Sequence, residues 1–313
     1  MRRAGPNSFS RREFAAVAGS GALTGRTLFA QNAAVGGATI TAQAVIDRIR
    51  ASVGGEWKPD TVDTFKAGDP ATVVKGIVTT TLPTLEVLKK AVAAGANLVI
   101  ACEPTFFGKA DAANPAPGRG QAANAQPDPV LAGKLEFIEK NGLVVWRFSD
   151  HWRSRTPDPL AQGFAAEMGW AKYQAAGAAT RFELPAVTLD ALAADLKLKL
   201  GIRGGMRVVG DPRTEIRKVG LLTGTTALAA SLKTMPGVDA IIAGEVREWE
   251  SVEYAQDTVT AGLRKGLILL GRVISEEPGM KVCAAWLRTE LRMLVPEASI
   301  TWVSAGDPYW RPV

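Results

Sequence analysis

Histidine is nearly missing from this chain: His151 is the only one among 313 residues. That count excludes a metal centre or proton relay built on several imidazoles. Two cysteines, Cys102 and Cys283, are too few for a disulfide framework. Both lie inside apolar segments, which fits buried thiols. No lysine or arginine run tracks along the sequence, although the net charge is +6. Nucleic acid is therefore not expected as a partner. No apolar stretch is long enough for a stable membrane span. A phosphate loop, a dinucleotide fingerprint and a catalytic serine or cysteine motif are also missing, so the substrate cannot be read from a motif.

What is present is the material of a core. Hydrophobic residues make up 47 % of the chain and charged residues 22 %, enough for one large domain or two ordinary ones. The first residues have a different character. Arg2, Arg3, Arg11, Arg12 and Arg26 precede any acidic residue except Glu13. Ser10-Arg-Arg-Glu-Phe14 has the form of a twin-arginine export signal, followed by a mildly apolar stretch from Ala15 to Ala30. Residues 1–36 are expected to be signal and tail, and the protein periplasmic or secreted. Cleavage near Ala30 or near Ala34 and, as the alternative, a disordered basic tail all stay open.

A strand–helix–strand unit occurs twice. Lys75-Gly-Ile-Val-Thr-Thr80, a helical stretch over 85–94 and Leu98-Val-Ile-Ala-Cys-Glu103 form the first copy. Lys218-Val-Gly-Leu-Leu-Thr-Gly224, a stretch over 227–235 and Ala240-Ile-Ile-Ala-Gly-Glu245 form the second. The fold class predicted is α/β, two similar lobes of mostly parallel or mixed sheet covered by helices. The N-terminal lobe is placed at 37–170, a connector at 171–210 and the C-terminal lobe at 211–313. Residues 109–129 are rich in Ala, Asn, Gly, Pro and Gln and are predicted to be a disordered insert, either a flap over the site or an insertion with no role. Further helices are expected over 41–52, 130–140, 159–168, 188–200, 249–263 and 280–294. Strands are expected over 143–148, 207–210, 267–270 and 299–303.

Open α/β sheets bind ligands beyond the carboxyl ends of their strands. Four acidic groupings fall at such ends: Cys102-Glu103, Asp150-His151, Gly244-Glu245 with Glu248, and Ser275-Glu276-Glu277-Pro278. Converging carboxylates repel one another unless a cation sits between them. Glu103, Asp150, Glu276 and Glu245 are the candidate metal ligands. Cys102 offers a thiolate or a buried thiol, and His151 a ligand, a general base or a packing histidine.

Lys66-Ala-Gly-Asp-Pro70, Gly76-Ile-Val78, Gly95-Ala-Asn-Leu-Val-Ile100 and Glu103-Pro-Thr-Phe-Phe107 resemble the N-terminal lobe of the Nif-three-like family. Val238 to Glu245 and Gly271-Arg-Val-Ile-Ser-Glu276 resemble its second lobe. The family comprises toroidal hexamers with a dinuclear metal centre, also known as GTP cyclohydrolase 1 type 2. The resemblance implies a homo-oligomer, possibly a hexamer, and a metal-dependent hydrolase of a small-molecule, nucleotide-like or other phosphorylated or amide substrate. A non-catalytic oligomeric protein that has lost the dinuclear site is the alternative. The family's paired histidine falls on Cys102 and Glu103, its aspartate on Asp150, and its C-terminal Gly-His-x-x-Ser-Glu motif on Gly271 to Glu276. Arg272 thus stands where the family has histidine, while Glu276 is kept. Carboxylates without imidazoles favour Mg²⁺, Mn²⁺ or Ca²⁺ over Zn²⁺, as one or two ions. Arg272 is expected either to hold an anionic part of the substrate or to replace a cation by pairing with Glu103 or Glu276. His151 and Arg272 are the candidate catalytic residues.

Overall fold

A computed structural model describes residues 39–108, 111–112 and 128–312. The expected signal over 1–36 and most of the expected insert over 109–129 lie outside the described residues. The strands are β1 (Phe65–Ala67), β2 (Gly76–Thr80), β3 (Leu98–Ala101), β4 (Val144–Arg147), β5 (Arg181–Thr188), β6 (Arg207–Val209), β7 (Glu215–Thr225), β8 (Ala240–Glu245), β9 (Gly266–Leu269) and β10 (Ser299–Trp302). The helices are α1 (Ala42–Ser52), α2 (Leu85–Ala93), α3 (Pro129–Lys140), α4 (Asp150–Arg153), α5 (Pro159–Met168), α6 (Leu189–Lys199), α7 (Leu228–Thr234), α8 (Glu253–Thr260) and α9 (Arg272–Glu290).

Among the described residues the strands form two five-stranded sheets, ordered β1-β4-β3-β2-β10 and β5-β7-β8-β9-β6. The two orders match. In each, three parallel strands (β2, β3, β4 or β7, β8, β9) are flanked by a short antiparallel strand that precedes them in the chain, β1 or β6. The repeat seen in the sequence is thus a repeated sheet. The outer strands differ: β10 pairs parallel to β2, whereas β5 pairs antiparallel to β7.

The boundaries differ from those expected at two places. The segment 171–210 carries β5, α6 and β6, all built into or onto the second sheet. The last strand returns to the first sheet, pairing Ile300 with Ile77. Helices cover both faces of each sheet, which is why the central strands are continuously apolar. Residues of α1 and α9 share a core with one face of the first sheet, and residues of α2 and α3 pack on the other. α5 and α6 pack on one face of the second sheet, and the α7–α8 region on its other face. Side-chain oxygens at the N-termini cap the helices: Thr41, Thr84, Asp128, Asp158 and Thr188 each accept a backbone N–H of the first turn.

Helix α9 starts eight residues earlier than expected, because Pro278 lies inside it instead of stopping it. The proline deprives the Ile274 carbonyl of its helical donor. This part of α9 is fixed by close packing on α5. A Cβ on Gly163 would run into the backbone of Pro278, and one on Gly279 into the backbone of Leu160. The long helix expected over 249–263 is a π-turn, Glu248–Val252, followed by α8. Among the described residues no helix is long and apolar enough to cross a membrane.

Candidate functional site

The site begins with a loop that no periodicity marks. Asp63 is fully buried, and its two oxygens accept four hydrogen bonds: from the N–H groups of Ser149 (2.6 Å), Asp150 (3.0 Å) and His151 (2.9 Å), and from His151 Nδ1 (2.7 Å). Asp63 therefore pins the turn that leads from β4 into α4. The Lys58 N–H donates to His151 Nε2 at 3.0 Å. Both ring nitrogens are thus engaged, with the proton on Nδ1. Trp57 stacks on the ring, with centroids 3.6 Å apart and planes 7° from parallel. His151 is in this structure a packing histidine, with no lone pair free for a metal or a substrate proton. Asp150 is also committed: its carboxylate accepts the Thr61 hydroxyl at 2.8 Å and the Val62 N–H at 3.1 Å. These bonds hold its carboxyl below the usual aspartate range although partial burial opposes them.

The last residue of α4 is the centre of the site. Arg153 extends one guanidinium nitrogen to Glu103 Oε1 at 2.6 Å and the other to Glu276 Oε1 at 2.7 Å. Its Nε donates to the Ser149 hydroxyl at 3.2 Å. Arg272, from the start of α9, reaches the other oxygen of Glu103 at 2.6 Å. Two carboxyl groups and two guanidiniums thus form one cluster, with Glu103 and Glu276 buried. The sheets supply the positions. Glu103 follows β3, Arg153 follows β4, and Glu276 follows β9. Gly224, with φ +71°, leaves room for Glu276, whose Oε1 lies where a Cβ would be. Ser275 beside it accepts the Gly224 N–H at 3.0 Å.

Electrostatics follow from burial. Desolvation and the Glu276 carboxylate push the Glu103 carboxyl up to about 7, while Arg272 and Arg153 pull it down. Desolvation pushes the Cys102 thiol up to about 12. The two cysteines are free and buried.

Cys102, Glu103 and Glu276 each offer a ligand atom within 4.8 Å of the others, a grouping close enough to hold one metal ion. The residues as they stand do not fit one. Guanidinium nitrogens already contact both carboxylates, and the thiol is held protonated. A divalent cation would have to displace Arg153. One observation points the other way: Glu276 Oε2 is buried without a hydrogen-bond partner among the described residues.

Of the residues proposed from the sequence, the structure brings together Glu103, Glu276 and Arg272. Asp150 and His151 belong instead to the support beneath Arg153. Glu245, the sequence counterpart of Glu103, is exposed and accepts the Thr225 hydroxyl at 3.2 Å. It shares with Glu103 and Arg272 the wall of a cavity of about 1050 Å³, which Lys134, Tyr309 and Trp310 also line. The wall carrying Tyr309 and Trp310 is held by Asp307, whose Oδ2 accepts the N–H groups of Arg203, Gly204 and Gly205. Glu277 faces away from the cluster and anchors the same segment through Ser304, Ala305 and Gly306. The sequence reading does not include Arg153, whose one mark is its place three residues after Asp150, in the same turn.

No curated protein matches the chain. Solved structures do. A Bacillus cereus protein related to NIF3 superposes with a TM-score of 0.63 at 14 % identity, covering 88 % of this chain and 100 % of its own. Staphylococcus aureus protein SA1388 gives 0.62 at 15 % identity, covering 88 % and 100 %. Reduced HcgD from Methanocaldococcus jannaschii gives 0.54 at 15 % identity, covering 84 % and 97 %. At such identities these likenesses carry the fold alone. The family model described as Duf34/NIF3 (NGG1p interacting factor 3) matches residues 131–301. Because that match takes in over half of the chain, from α3 through β10, the protein belongs to the DUF34/NIF3 family.

Proposed function

We propose that this protein is a small-molecule-binding member of its family, in which a guanidinium–carboxylate cluster stands where a metal-dependent hydrolase would hold its cation. One observation carries the reading: Arg153 contacts Glu103 at 2.6 Å and Glu276 at 2.7 Å. Two members of the cluster, Glu103 and Arg272, line a cavity of the size that takes small ligands. Arg272 lines that cavity with a partly exposed guanidinium, which suits an anionic ligand. Oligomerisation, up to a hexamer, belongs to this proposal through family membership.

Elemental analysis of untagged protein should find no stoichiometric divalent metal. Millimolar Mg²⁺, Mn²⁺, Ca²⁺ or Zn²⁺ should leave the Tm unchanged, since a ligand of the native state would raise it. The second reading is a metal-dependent hydrolase with a hard divalent cation, and the unpartnered Glu276 Oε2 favours it. A bound metal in the native protein, or a Tm raised by Mn²⁺, would decide for that reading.

The place of action is proposed to be periplasmic or secreted, on the strength of Ser10-Arg-Arg-Glu-Phe14. Replacing Arg11 and Arg12 by lysine should leave the precursor in the cytoplasm. Normal export of that variant would remove the proposal.

A further inference from the structure

Lys134 is out of place by ordinary packing rules. It lies on the buried face of α3, one turn before Ile138, and is only 4 % exposed. Lys140 on the same helix is exposed. Buried lysines are rare unless paired with a carboxylate. Among the described residues, Lys134 Nζ makes its hydrogen bond to the Thr105 carbonyl. Asp111 is the acidic group that acts on it, but its carboxylate accepts the N–H groups of Thr105 and Phe106 and faces Arg147 at 3.8 Å. The ammonium position lies 5.9 Å from the Phe106 ring centroid and 5.3 Å from that of Phe107. Phe107 takes a left-handed backbone, φ 59°, within this turn. Burial lowers the amine to about 8, outweighing Asp111. About a tenth of it is then neutral at pH 7, against about 0.04 % of an ordinary lysine.

The amine also stands at a cavity wall. Lys134, Arg272 and Glu103 line the same cavity of about 1050 Å³. A desolvated lysine with a lowered pKa at a cavity wall is the arrangement that attacks carbonyl carbons. We propose that Lys134 condenses with a small anionic aldehyde or ketone bound in this cavity, Arg272 taking the anionic group. The neutral amine forms an N–C bond to the carbonyl carbon. The carbonyl oxygen leaves as water with the two amine hydrogens, giving a C=N bond, and no oxidant or reductant is consumed. The role of Arg272 rests on the ligand-binding reading above; the reactivity of Lys134 does not.

The test treats the full chain with glyoxylate and sodium cyanoborohydride, which reduces the C=N bond to a stable adduct, and maps the adduct by mass spectrometry. Lys134 should be labelled about tenfold faster than the exposed Lys89 or Lys233, the gain in neutral amine being offset by its lower intrinsic nucleophilicity. Arg272→Gln should slow labelling of Lys134 by glyoxylate several-fold and leave labelling by neutral acetaldehyde unchanged. Lys134→Met, which puts an apolar side chain on an apolar face, should fold and lose only the fast adduct. Labelling of Lys134 no faster than of Lys89 overturns the proposal. Equal slowing of both aldehydes by Arg272→Gln overturns the anionic anchor. A metal found in the native protein would sink the ligand-binding reading while leaving the fast adduct in place.

Discussion

Asp63→Ala should destabilise the protein by about 3–5 kcal/mol, a loss large enough to be fatal in a marginally stable domain. The side chain is fully buried and accepts four donors, three of them the N–H groups of Ser149, Asp150 and His151. Alanine leaves those donors facing a small void. Each buried donor without a partner costs about 1–3 kcal/mol, reduced where water enters. Asp63→Asn separates the contributions. Its amide oxygen, placed at Oδ1, keeps the bonds from Ser149 and Asp150. Its NH₂ group then faces the His151 N–H and Nδ1–H, both of which are donors. The ring cannot turn its proton to Nε2 without losing the Lys58 N–H. Asn should therefore fall between wild type and Ala in urea midpoint, with the m value unchanged. A cost below about 1 kcal/mol for Ala would mean that the turn carrying Arg153 is held by something other than this carboxylate.

The same residue shows where sequence reading stops. Asp63 lies in a polar loop with no periodicity, and its four partners follow 86 or more positions later. By contrast, Leu98 to Ala101 was legible as a strand because burial on both faces demands a continuous apolar run. The helix Pro159–Met168 was legible because Gly169 closes it, and the structure adds Asp158 as its N-cap. The duplicated sheet was legible because both copies end in the same pattern, Ile-Ala, one further residue and a glutamate, at Glu103 and Glu245. The different fates of those glutamates were not. They depend on which cation the neighbouring turn delivers, and α4 delivers Arg153 to Glu103, whereas Glu245 stays at the exposed rim. The start of α9 was hidden by Pro278, which reads as a helix stop but lies within a helix locked against Gly163. The partner of β10 was hidden because a parallel pairing across more than 200 residues leaves no local mark.

Arg153→Gln should be the most damaging change at the site, and its cost should depend on pH. The variant leaves Glu276 buried with no cation of its own, and Glu103 with Arg272 alone. Removing one partner of a buried ion pair costs about 3–5 kcal/mol when the remaining charge cannot be neutralised. Here it can be neutralised by a proton. Without Arg153, which pulls it down, burial and the facing Glu276 carboxylate push the Glu103 carboxyl further above its unfolded value. A carboxyl with a raised folded pKa gives stability that is fully present below the unfolded pKa and is lost as pH rises through the folded one. In the native protein Glu103 already has that sign, being raised to about 7. The variant should therefore lie close to wild type in urea midpoint at pH 5 and well below it at pH 8. Adding Glu276→Gln removes the orphaned charge and should recover much of the loss at pH 8 while changing little at pH 5. The space left by the guanidinium, facing Cys102, Glu103 and Glu276, should also let millimolar Mn²⁺ raise the Tm of the single variant but not that of wild type. An equal loss at pH 5 and pH 8, with no recovery in the double variant, would show that Arg153 packs rather than neutralises, and the reading of a guanidinium in a cation's place would have to be given up.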